Sequence, residues 1–409
     1  LAVGRGADAE GWLVLTNMGG GQMGNPGATN LTVDIGTGGG TGIVRLAGTG
    51  PWAGYLDEVT LGDVAGSYGV FDSALCPVTN LQVDVLSIGA GGYGSMNLGD
   101  MQGGRFLLNG LGNLTVGHGE LVVTNAQANL NAGTAGRLFS LGSSFDGNSG
   151  LVRFVNSTVT ASNLSGLTIA NTGTGRTGVL EFINGSFELR QQAAHVMSVG
   201  CGVDNLGQLT ASNTVNSVVS FTHVRIGTNG GRGVVDLGFF SNGTFSFSGN
   251  LSVGVLGNAS GQLIATGGTF NLGAGGNNVQ VAGDGSAANN QGLVRLVGAN
   301  NNINILNLDV GDGSSSSAGE FHLIGGSNLG TIGNIDVGLL GGNGQLTLGG
   351  WGEVTNSGTL DLAQAAGSVG VLTVSNGTLR VTHTALNMGA VGASAELRIG
   401  GSGEVILQG

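Results

Sequence analysis

Lysine is absent from this 409-residue chain, and all 12 basic residues are Arg. Charged residues amount to 9%, against roughly a quarter in ordinary soluble domains. With 24 acidic residues the formal net charge is −12, and no basic cluster offers the positive footprint that nucleic-acid binding needs. Only three Pro occur and Gly does not recur at every third position, so a collagen helix is excluded. No apolar run reaches the length of a membrane span. So few groups can titrate that a conventional enzyme domain is disfavoured. The 40% hydrophobic fraction is not that of a disordered chain. What is abundant is glycine, with 86 residues.

A short pattern repeats down the chain, apolar-x-apolar followed by Gly, Ala or Asp. It reads Leu1-Ala2-Val3-Gly4, Leu31-Thr32-Val33-Asp34, Val59-Thr60-Leu61-Gly62 and Leu86-Ser87-Ile88-Gly89, and recurs to Leu386. Its fifteen starts lie 25 to 30 residues apart. A second pattern keeps step with it, as in Gly42-Ile43-Val44-Arg45-Leu46 and Gly292-Leu293-Val294-Arg295-Leu296. A third, looser one follows, as in Gly243-Thr244-Phe245-Ser246-Phe247 and Gly377-Thr378-Leu379-Arg380-Val381. Alternation over four or five positions between Gly and Asn predicts half-buried strands, and no segment carries a helical period. Three phase-locked strands per period predict an all-β fold: a right-handed, three-sided parallel β-solenoid of about 15 coils. The interior should suit Leu, Val and Ile, with room for few aromatics. Asn250, Asn278, Asn307 and Asn334 each precede a first strand, which predicts a stacked amide ladder at one corner.

Residues 1–409 read as a single solenoid, with less regular coils over 1–85 and regular ones over 86–409. All three Pro fall before position 80. A projecting loop near 50–58 is expected to carry Trp52 and Tyr55 as a lateral contact. The chain opens on a first strand and finishes on a third, so both rims should expose unpaired edges. Leu1, Val3 and Leu13 at one rim and Val405 and Leu407 at the other are the expected assembly interface, joining copies head to tail. The bland alternative is a segment of a longer repeat protein.

The unit Leu360-Asp361-Leu362-Ala363, Val371-Leu372-Thr373-Val374, Asn376-Gly377-Thr378-Leu379 resembles the glycine-rich β-solenoid repeats of bacterial surface and secreted proteins, of the autotransporter-passenger type. The resemblance covers the whole chain but is periodic and compositional. It implies export and an extracellular or cell-surface location.

Few residues suggest chemistry. Asp309, Asp336 and Asp361 each stand second in a first strand, followed by Asn387, and should form an outer column about 4.8 Å apart. Ca²⁺ is a weak candidate there, against an ordinary hydrated acidic stripe. His195 and His223 stand near successive first strands without a third ligand. Cys76 and Cys201 are five coils apart, too far for a disulfide, and read as buried thiols. No catalytic triad and no cofactor site is apparent. The leading function is a structural, non-enzymatic protomer of an extracellular filament or coat. The alternatives are an adhesin rod that binds a glycan or a host surface and, third, an enzyme acting on polysaccharide.

Overall fold

The computed structural model describes residues 1–17, 19–26, 31–108, 113–130, 137–142, 147–171, 173–191, 195–283, 289–314, 316–382 and 386–408. They form an all-β parallel β-solenoid, with no helix among the described residues. The chain packs as two compact units, Leu1–His195 with Ala211–Thr214, and Val196–Thr210 with Val215–Gly409.

In the first unit the strands fall into three parallel ladders. The first ladder stacks one core row, Val3 beside Ile35, then Leu61, Ile88, Val116, Leu141 and Ile169. Each is buried, and all beyond Val3 are fully so. The second runs from Glu10–Leu15 through Thr41–Ala47, Tyr68–Leu75, Tyr93–Asp100 and Gly119–Thr124. The third begins at Gly21–Met23 and continues through Arg105–Leu108 and Gln127–Asn129. The strand Ser149–Ile169 takes part in all three ladders in turn, so one coil passes its corners without leaving extended backbone.

The second unit repeats the plan. Its first-ladder row is Val199, Ile226, Val253, Val281, Val310, Val337 and Leu362, all fully buried. Identical spacing lets each β-branched or Leu side chain sit on the one below, so the apolar area of every coil is covered by its neighbours. Aromatics enter the core more than expected. Phe245 and Phe270 are register partners stacked at 5.6 Å, and Phe240 lies 6.1 Å from Phe270. Offset rings at that distance fit the pitch of a parallel ladder with little adjustment, which is why Phe is admitted. The same row then becomes polar: Asn301 and Asn328 are buried, with Asn301 Nδ2 donating to Asn328 Oδ1 at 2.7 Å.

Corners explain the rest of the composition. Eleven of the nineteen non-glycine residues with positive φ among the described residues are Asn, the side chain that tolerates that conformation best. At Gly227, φ is +57° and a Cβ would overlap the carbonyl oxygen of Ser260 in the next coil. Glycine is there because a neighbouring backbone occupies the space of a side chain.

The expected projecting loop is a correction. Trp52–Leu61 is a strand, and Trp52 is 2% exposed, 5.8 Å from the Phe71 ring. Pro51 immediately precedes that strand, where a missing N–H costs no ladder bond, so Pro marks its start rather than a loop. Tyr55 is half-buried and its hydroxyl accepts from Asn80 Nδ2 at 3.0 Å. Neither residue is a lateral contact point in this arrangement.

Candidate functional site

The acidic column forms in the second unit as the spacing predicts. Asp309 pairs with Asp336, Asp336 with Asp361, and Asp361 with Asn387, while Gln280 precedes Asp309. All three carboxylates are half-buried. Here the expectation of an ordinarily hydrated stripe is corrected. Burial first, then the Asp312 charge, pushes Asp309 up to about 6 against the relief of a Gln280 hydrogen bond. Burial, then Asp309, Asp361 and Asp312, pushes Asp336 up to about 7. Asp336 Oδ1 is enclosed with no hydrogen-bond partner. At the column's far end Asn387 Nδ2 donates to Asp361 Oδ1 at 2.5 Å, an amide doing what a proton would otherwise do.

These carboxylates stand in file, one strand apart, and do not surround a common point. Among the described residues no group of three or more His, Cys, Asp or Glu could hold a metal ion. The Ca²⁺ reading of Asp309, Asp336 and Asp361 is therefore replaced by proton uptake: like charges at one strand spacing are relieved by neutralising the middle member.

Beside the column lies the amide ladder. Asn307 Nδ2 donates to Asn278 Oδ1 and Asn334 Nδ2 to Asn307 Oδ1, both at 2.8 Å. Asn250 Oδ1 accepts from the Asn278 N–H at 3.3 Å, and Asn334 Oδ1 from the Thr359 N–H at 3.0 Å. All four amides named from the sequence therefore take part. His223 does not meet a second imidazole: its register partner is Val196, and its Nδ1 accepts from the Asn250 N–H at 3.0 Å. His195 donates its backbone N–H to Gln191 Oε1 at 3.2 Å. Cys76 and Cys201 are buried free thiols, and burial raises both above the usual thiol range.

Two groupings escaped the sequence. On the second ladder of the first unit, Trp12 is 65% exposed, and Tyr68 stacks on Tyr93 at 5.2 Å with His118 edge-on at 5.5 Å. The residue after the small one in the second pattern points outward, a rule that would have found Trp12. In the second unit, His322 bridges two neighbours, with Nδ1 2.9 Å from Thr347 Oγ1 and Nε2 3.1 Å from Glu320 Oε2. Arg295 and Thr347 flank His322 in register, in a shallow groove of about 380 Å³. A hydroxyl, an imidazole and a carboxylate in series can pass a proton.

The expected assembly residues lie at two faces. Leu1 is 42% and Leu407 60% exposed, Leu13 and Val405 are half-buried, and Val3 is covered by the adjoining coil. One coil inward, Leu379 and Val381 are buried. The strands Ala2–Arg5, Glu10–Leu15 and Gly21–Met23 pair on one side only, as do Leu386–Met388, Ser394–Gly400 and Glu404–Leu407. No helix among the described residues is long and apolar enough to cross a membrane. No family model, no curated protein and no solved structure matches this chain.

Proposed function

We propose that this chain is a structural, non-enzymatic solenoid of the cell exterior, a right-handed three-sided coil that joins copies of itself head to tail. The observation that carries this reading is the coil-on-coil contact. It is built from continuous aliphatic rows, in-register parallel strands and amide ladders, and two coil faces present the same rows uncovered. Such a contact is extended by any coil of the same kind, because each main-chain bond adds only about 1 kcal/mol but a whole coil adds them together. The resemblance to glycine-rich repeats of bacterial surface proteins supports export. Negative-stain imaging of residues 1–409 at neutral pH tests the reading. Long thin threads, lost in Val405→Lys, are expected; short rods that never lengthen with concentration would refute it.

A second reading, a rod that binds a glycan, is supported by the solvent-facing Trp12 and Tyr68, since exposed aromatic faces suit sugar rings. Monomeric protein that loses glycan retention in Trp12→Ala would favour it.

A further inference from the structure

Resting on the head-to-tail reading, we infer the register of the junction. Ser394–Gly400 of one copy lies beside Glu10–Leu15 of the next with Leu397 opposite Leu13 and Ile399 opposite Leu15, and Leu386 and Met388 oppose Leu1 and Val3.

The chain itself supplies the rule. On the second ladder, a small residue sits over a small residue and the two following inward positions stack. Gly42, Val44 and Leu46 lie over Gly11, Leu13 and Leu15, and Ala395, Leu397 and Ile399 lie over Gly370, Leu372 and Val374. On the first ladder, Ile35 lies over Val3 and Met388 over Leu362. Continuing the same steps across a junction leaves one solution, because a slip of one residue would turn every inward side chain to solvent. That solution brings together the apolar groups left uncovered at the two faces. Met388, Ile399 and Leu407 are 42%, 55% and 60% exposed, while Leu1 is 42% exposed and Leu13 and Leu15 are half-buried.

A glycine gives independent support. Gly227 yields its Cβ space to the carbonyl of Ser260, the residue before Gly261. Gly389 holds the same place after its first strand, with φ +72°, yet a Cβ there would meet only the Ala395 Cβ at 3.7 Å. In the inferred register the carbonyl of Glu10, the residue before Gly11, comes to lie over Gly389. Ala170, Ala282 and Ala363 occupy the equivalent place elsewhere with positive φ, so glycine there is a preference and not a requirement.

The outward pair Val14 and Arg398 tests the register. Val14 is 50% exposed and the Arg398 side chain 58% exposed. Parallel partners stand about 4.8 Å apart at Cα, inside the disulfide range. The double variant Val14→Cys with Arg398→Cys, assembled and then oxidised, should give a ladder of covalent multimers on a non-reducing gel that collapses with dithiothreitol. The offset pair Trp12→Cys with Arg398→Cys, about 8 Å apart by the same geometry, and each single variant should give none, since Cys76 and Cys201 are buried. Threads without the in-register ladder, or a ladder from the offset pair, overturn the register and leave head-to-tail assembly standing. A wild-type chain that forms no threads overturns both.

Discussion

Replacing Asp336 by Asn should make the second unit more stable at neutral and alkaline pH, and should flatten its pH dependence. Asp336 stands between Asp309 and Asp361 with Oδ1 enclosed and unbonded. Burial and its acidic neighbours raise it from 3.8 to about 7. A carboxyl raised in the folded state binds its proton more tightly there than in the unfolded chain. Its stabilisation is therefore full below about pH 4 and is lost as pH climbs through about 7. That displacement corresponds to about 4 kcal/mol at most. The column is only half-buried and its members titrate together, which reduces the expected effect to about 1–2 kcal/mol between pH 5 and pH 8. Asn387 shows the remedy within the same column, since its amide already bonds Asp361. Urea denaturation at pH 5 and pH 8, with hydrogen exchange of peptides covering Asn300–Val310 and Ser327–Val337, provides the assay. Asp336→Asn should match or slightly trail the wild type at pH 5 and exceed it by about 1–2 kcal/mol at pH 8. Comparing variant with wild type cancels carboxylates elsewhere whose shifts run the other way, such as Asp100 held down by Asn125 and the Gln102 N–H. Equal stability of the two proteins at pH 8, or a wild type no weaker at pH 8 than at pH 5, would refute the reasoning.

The ladder and the core yield further expectations. Asn307→Ala removes a donor to Asn278 and an acceptor for Asn334, and should cost about 1–3 kcal/mol, read as faster exchange in the strands on both sides. Phe270→Ala, which empties a fully buried site beside Phe245 and Phe240, should cost about 3–5 kcal/mol by urea denaturation. Gly227→Ala must displace the Ser260 carbonyl as well as bear a positive φ. It should therefore lower the denaturation midpoint clearly, whereas Gly400→Ala, with open space around it, should leave the midpoint unchanged.

The solenoid was legible because its signal is translational. Once Leu308, Ile335 and Leu360 are recognised as equivalent, Asp309, Asp336 and Asp361 must share a column, and the pairing bears this out. The amide ladder followed in the same way from residues adjoining that strand. Legibility ends where equivalence ends. Coil lengths vary from 25 to 30 residues, and the variation is absorbed at corners, so His223 came to lie opposite Val196 although a partner in His195 was conceivable from spacing. Trp52 was misplaced because Pro51, Asp57 and Glu58 look like loop chemistry when taken singly, whereas the ladder partners of the strand place Trp52 inside. Hydration was the other hidden quantity. Alternation says that Asp336 faces outward, but burial in a parallel stack depends on what lies one coil above and below, and here both neighbours are carboxylates. A side chain's environment in such a fold is set less by its own strand than by the column it joins. Columns of unlike residues, such as Arg295, His322 and Thr347, become visible only after the coils are laid over one another. Chemistry in a solenoid is therefore to be sought along columns, at separations of one coil length, rather than along the chain.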